Sequence, residues 1–178
     1  MSQYLVLTAI GADRTGIVSE LTKLACECGC NIYDSRMAIF GSEFSFIMLL
    51  NGNARAINQI ELRLPKLAQN LELLTMMKRT TGYKKRNLTQ HFEVTYAGID
   101  QPGVLKAVTA FFAARKIDIS SLNSQIDFKT NQTNSHILIA LTDKVSIEQL
   151  ENDFLQLCDQ IDVQGCIKAV QSNLLGCS

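Results

Sequence analysis

Apolar residues recur along this chain in helical stripes separated by short strand-like runs, and the whole pattern occurs twice. Ile17, Val18, Leu21, Leu24, Ala25 and Cys28 fall in the steps that form one face of a helix, and Val104, Leu105, Val108, Phe111 and Phe112 repeat them. Each stripe ends in "CNI" or "IDI", which enters a new strand at Ile32 and Ile119. A second stripe, Ile57, Ile60, Leu64, Leu67 and Leu71, returns 90 residues later as Ile147, Leu150, Phe154, Leu157 and Ile161. Between the stripes, "FGSE" in the first copy and "FKTNQTNS" in the second have the chemistry of hairpin turns, and the three extra residues of the second copy are placed there. A capping box, Ser146 to Gln149, marks the start of the last helix. Pro65 predicts a kink or a restart in the equivalent helix of the first copy. Final strands follow in "LELLTMMKRT" and "DVQGCIKAVQ".

Each copy, about 75 to 85 residues, therefore reads βαββαβ, an α+β unit whose two helices cover one face of a four-stranded antiparallel sheet. A sheet face left bare favours association, since burying apolar surface is worth roughly 25 cal/mol per Å². The two copies are expected to associate around a pseudo-twofold axis. The expected boundaries are residues 1–82 for the first domain, 83–88 for a basic linker and 89–178 for the second domain.

The repeat is tightest at a turn. "GADRTGIV" from Gly11 and "GIDQPGVL" from Gly98 hold Thr8 and Thr95, Gly11 and Gly98, Asp13 and Asp100, and Gly16 and Gly103 at a constant offset of 87. A strand ends and a helix begins there, so unpaired backbone N–H groups and the positive end of the helix dipole favour an anion beside the turn. Gly16 and Gly103 permit close approach, Pro102 suits a first helical turn, and Asp13 or Asp100 can meet an ammonium. Carboxylate and ammonium together describe an amino acid. The competing reading is that the aspartates cap their helices and the glycines shape a tight turn.

Composition adds exclusions. The 178 residues are 47% hydrophobic and 19% charged, a globular balance. No apolar run approaches the roughly 20 residues of a membrane helix, and the start lacks a secretion signal, so a cytoplasmic protein with no membrane partner is expected. Net charge is zero, yet residues 1–87 hold 11 Lys and Arg against 7 Asp and Glu, and residues 88–178 hold 6 against 10. Much of the excess lies in "KRTTGYKKR", Lys78 to Arg86, which reads as a solvated linker or as a docking strip for nucleic acid or an acidic partner. Tyr83 is its one aromatic and no helix-turn-helix pattern accompanies it, so direct DNA binding is disfavoured.

Catalytic and metal chemistry is thin. Cys26, Cys28 and Cys30 form C-x-C-x-C, but that spacing across a helix end splays the thiols, and no C-x-x-C pair or histidine cluster completes a tetrahedral set. They are read as core or incidental residues, and Cys158, Cys166 and Cys177 as free thiols. His91 and His136 lack a nucleophile arrangement nearby and are read as structural polar residues. The "NLT" at Asn87 and "NQT" at Asn131 are read as turn chemistry. Neither a catalytic residue, a metal nor a cofactor is expected, and the chain is read as no enzyme.

The stretches "LTAIGADRTGIVSELTKLACECGCNI" and "EVTYAGIDQPGVLKAVTAFFAARKIDI" resemble the opening of ACT domains, ferredoxin-like modules that bind amino acids at interfaces between modules. Together with "NIYDSRMAIFGSEFSFIMLL" and "MMKRT" they extend the resemblance to regulators built of two such modules, over nearly the whole chain. The resemblance implies a cytosolic regulator that represses the glycine cleavage operon through a LysR-type activator, with glycine relieving the repression. A DNA-binding repressor, or a regulatory protein controlling a metabolic enzyme, are the alternatives, and self-association is compatible with each. It implies ligand positions at Asp13, Arg14, Thr15, Gly16 and Ile17 in the first copy and at Asp100, Gln101, Pro102, Gly103 and Val104 in the second. Asn31, Asn123 and Ser124 on the second strands are further candidates, because ACT ligands touch that strand in a neighbouring module. The copies differ at Arg14 against Gln101 and Thr15 against Pro102, which implies unequal sites.

Overall fold

The alternation of buried and exposed positions is realised as two four-stranded sheets in a computed structural model that describes residues 2–81, 90–141 and 145–170. The first unit runs β1 (Gln3–Ala12), α1 (Ile17–Glu27), β2 (Asn31–Phe40), β3 (Glu43–Gly52), α2 (Ala54–Asn70) and β4 (Leu74–Thr80). The second repeats it as β5 (Gln90–Ile99), α3 (Val104–Ala114), β6 (Asp118–Asp127), β7 (Gln132–Leu141), α4 (Ile147–Gln160) and β8 (Val163–Ala169). The expected βαββαβ order holds in both. Strand orders are β2-β3-β1-β4 and β6-β7-β5-β8, antiparallel throughout.

Leu5, Leu7 and Ala9 on β1 and Phe44, Phe46, Met48 and Leu50 on β3 alternate into a core closed by Ile17, Leu21 and Leu24 of α1 and Ile57, Ile60 and Leu64 of α2. The other core repeats that layering with Phe92, Val94 and Tyr96 on β5, Ile137 and Ile139 on β7, Val108 and Phe112 of α3, and Leu150 and Phe154 of α4. All five expected positions of each second stripe lie in or against its core. Cys28 and Cys30 are buried in the first core while Cys26 is exposed, so the C-x-C-x-C run is divided between packing and surface. Burial pushes the Cys158 thiol up to about 11, with the nearby Asp159 adding to it, which keeps that thiol protonated and apolar in character.

Three local expectations change. The helix of the first copy does not restart at Pro65 but continues from Ala54 to Asn70, with Leu64 and Ala68 buried on either side of the proline; tertiary packing of one face outweighs a lost backbone bond. The hairpin of the second copy spans only residues 128–131, and Gln132 to Ser135 belong to β7. Gly11 faces Phe44 and Gly98 faces Thr133, so the offset rises from 87 to 89 across the hairpin and reaches 90 only after β7. The basic stretch is also divided. Lys78 and Arg79 lie in β4, where Arg79 donates to Glu61 through Nε (2.8 Å) and a terminal nitrogen (2.7 Å), and also to Asn58 and Gln3. The expected linker, residues 83–88, with Lys84, Lys85, Arg86 and Asn87, lies outside the described residues, as does Cys177.

Candidate functional site

Both repeated turns are built alike. Gly16 and Gly103 are the N-cap residues of α1 and α3, with φ of 96° and 103°, a region closed to residues that carry a Cβ. Turn bonds from Ile17 N to Arg14 O (3.5 Å) and from Val104 N to Gln101 O (3.3 Å) precede them, and the first intrahelical bonds run from Glu20 to Gly16 and from Ala107 to Gly103. The amides of Val18 and Ser19, and of Leu105 and Lys106, are left without acceptors among the described residues. Asp13 and Asp100 are anchored by their backbones instead, Asp13 N donating to Ser42 O (2.9 Å) and Asp100 N to Asn131 O (2.8 Å), which ties each turn to its hairpin. Asn131 sits in that hairpin with φ of 52°, in keeping with its turn chemistry. Among the described residues neither aspartate side chain makes a hydrogen bond, so the aspartates do not cap their helices. Pro102 precedes the N-cap rather than opening the helix, and there it stiffens the turn.

In the first copy Asp13, Arg14, Thr15 and Gly16 are exposed and the side chain of Ile17 is core. Arg14 turns away from the helix start: its guanidinium donates to the Leu71 carbonyl and lies 3.6 Å from a Glu72 carboxylate oxygen, pinning the turn to the connection before β4. Asn31 faces Asn51, which faces Tyr4, so it stands at the end of the sheet remote from Asp13.

The second copy gathers more of its expected residues. A cavity of about 400 Å³ is lined by the turn from Asp100 through Leu105 and by Ser124, Ile126, Thr133 and Tyr96. The side chain of Val104 is buried beneath it. Ser124 lies against Ser135, Oγ to Oγ 2.7 Å, and 3.5 Å from Thr133 Oγ1. Asn123, one residue earlier on β6, points to the opposite face by strand alternation. Tyr96, Thr133 and Ser135 carry no motif and were not among the expected site residues. Their sequence signal is two hydroxyls, at Thr133 and Ser135, in step with the buried Ile137 and Ile139. His136 is outside the cavity, with Nδ1 3.5 Å from a Glu93 carboxylate oxygen.

The comparisons with known proteins agree with the repeat. ACT-domain family models match residues 3–78 and 95–159. The chain is 40% identical over 174 residues to the glycine cleavage system transcriptional repressor of Escherichia coli (strain K12), covering 94% of this chain and 90% of that one, and equally to that of Shigella flexneri. A crystal structure described as a glycine cleavage system transcriptional repressor superposes with a TM-score of 0.79 at 38% identity, covering 96% of this chain and 98% of the other. A Galdieria sulphuraria protein of unknown function shares the fold, with a TM-score of 0.77 at 21% identity over 96% of this chain and 99% of its own. Among the described residues no helix is long and apolar enough to cross a membrane. Duplicated glycine turns, duplicated sheets and full-length relatives converge: the chain belongs to the ACT-domain family, as a tandem of two modules whose role is regulatory rather than enzymatic.

Proposed function

We propose that the chain is an amino-acid-responsive negative regulator of transcription of the glycine cleavage operon, acting by contact with a LysR-type activator and relieved by glycine. The observation that carries this reading is 40% identity, sustained over 94% of the chain, to a repressor named for that system. The LysR-type partner and the relief by glycine enter through the family resemblance. The turns supply a chemistry that suits such a ligand: helix-start amides for a carboxylate and an aspartate for an ammonium, each without a partner among the described residues. We place the division between the modules in the basic stretch, with residues 1–82 on one side and 89–178 on the other.

Magnitudes fit a metabolite gauge. With five heavy atoms at a ceiling of about −1.5 kcal/mol each, glycine binds no tighter than about −7.5 kcal/mol, a few micromolar. A coupling of about 1 to 3 kcal/mol then changes activator affinity about 5- to 150-fold. The test is calorimetry of glycine with the free protein and with its complex with the activator. Glycine is expected to bind the free protein more tightly by that factor; equal affinities would overturn the reading, because a ligand with no preference shifts no equilibrium.

A further inference from the structure

One arginine distinguishes the two copies at the C-terminal ends of their second helices. In the first, Arg14 lays its guanidinium on the end of α2, donating to the Leu71 carbonyl and standing 3.6 Å from a Glu72 carboxylate oxygen. The C-terminus of a helix favours a cation, and α2 carries no basic residue in its last turn, so Arg14 supplies the charge from outside the helix. The second copy keeps the acceptors and lacks the cation. Ile161 and Asp162 stand where Leu71 and Glu72 do, on a matching backbone: φ is −107° and 54° in the second copy against −94° and 55° in the first. In place of Arg14 is Gln101, which lines the cavity at the start of α3 instead. Asp159 stands where the first copy has Gln69, so two carboxylates crowd the negative end of α4, whose last turn also holds no basic residue. Neither carboxylate, nor the Ile161 carbonyl, has a hydrogen-bond or ion-pair partner among the described residues. Together with Gly98, Gln132 and Gln164, the two aspartates line a cavity of about 460 Å³ that has no basic residue in its wall.

We propose that the C-terminal end of α4 is a docking point for an arginine side chain of a partner protein, whose guanidinium donates to the Ile161 carbonyl and pairs with Asp162 and Asp159. The first module makes the same recognition within itself through Arg14 and is thereby closed to an outside arginine. A planar guanidinium suits one carbonyl flanked by carboxylates, because its N–H donors fork to several oxygens at once, whereas a lysine ammonium is a compact point charge. The source is an arginine within a polypeptide rather than the free amino acid, since a free α-carboxylate would face Asp159 and Asp162 with no cation in the wall to meet it. Both aspartates are exposed, so this arginine is one anchor of a larger contact and a weak ligand by itself. The site uses neither helix-start turn and does not depend on whether the chain senses an amino acid; it names a surface and a partner chemistry beyond that reading.

The experiment is a titration of the isotope-labelled full chain, followed by its amide chemical shifts, with the blocked peptide acetyl-Gly-Arg-Gly-amide up to about 10 mM, beside its lysine and citrulline counterparts and free L-arginine. The amides from Asp159 to Gln164 are expected to shift and saturate with the arginine peptide, more weakly with the lysine peptide and free arginine, and not with citrulline, which keeps the shape and loses the charge. Asp159→Asn combined with Asp162→Asn should weaken the arginine peptide about fivefold or more. Asparagine tolerates the left-handed backbone of position 162, so the double variant keeps the fold. Gln101→Arg restores the first copy's arginine and should exclude the peptide, while its unfolding temperature holds or rises. Equal binding of the lysine or citrulline peptide, unchanged affinity in the double variant or in Gln101→Arg, or no shift from Asp159 to Gln164 overturns the proposal. Free arginine binding more tightly than the blocked peptide also overturns it, by assigning the cavity to a small molecule.

Discussion

At the scale of single residues, the facing pairs Ala9/Phe46 and Tyr96/Ser135 are two solutions to one packing problem, small against large and large against small. Tyr96→Ala alone is expected to cost about 3 to 5 kcal/mol through the cavity it leaves. Ser135→Phe alone overpacks the same space and costs about 1 to 3 kcal/mol. The double variant rebuilds the first copy's pair inside the second, so its cost should fall short of the sum by about 0.5 to 3 kcal/mol. Urea unfolding of the four members of this cycle measures that coupling, and strict additivity would show that the pairs are not equivalent. The exchange was hard to see from sequence. Tyr96 occupies a position in an ordinary strand pattern, and only the cross-strand register reveals that its neighbour is a serine rather than a phenylalanine. Arg14 was likewise legible as part of the turn, but its partners Leu71 and Glu72 lie 57 and 58 positions further along the chain.

At the scale of elements, α2 is fastened to the sheet edge by Arg79 of β4. The forked hydrogen bonds from Arg79 hold the Glu61 carboxyl below the usual carboxylate range, and they outweigh the opposing effect of burial. Because the folded value is lowered, the pair's contribution is complete above the ordinary carboxylate value of about 4.3 and is lost as pH falls through the folded value. Arg79→Met should therefore lower the urea midpoint at pH 7, by less than Tyr96→Ala does because the pair is partly exposed, and the gap between variant and wild type should close in acid. A gap that persisted at low pH would mean that the arginine acts through its aliphatic stem rather than its charge. The apolar stripes of all four helices were readable from periodicity, because a 3.6-residue rhythm is a local property. Whether Pro65 would interrupt α2 was not, because the answer depends on the sheet beneath it.

For the molecule as a whole, net charge is zero and Arg79 is committed within the first unit, so we expect little electrostatic drive toward a polyanion. Fluorescence polarisation with operator DNA and this protein alone should show weak association that disappears steeply between about 50 and 200 mM salt. Tight binding that resists salt would point instead to a repressor reading DNA itself. The duplication has a second consequence at this scale. Two modules of one fold need not do the same work: Phe44 and Phe46 fill core positions of the first where Thr133 and Ser135 stand in the second.

By itself, the order of residues determined the element order, the duplication and the two glycine turns, because each is written in spacings of a few residues or in a constant offset between copies. Only the folded chain decided that Asn31 stands at the far end of its sheet, that Asn123 and Ser124 face opposite sides, and that Tyr96 meets Ser135 near the turn that carries Asp100. The reason is physical. Periodicity dictates which face of an element is buried, whereas the partner across that face is chosen by strand register and by the space the rest of the core leaves.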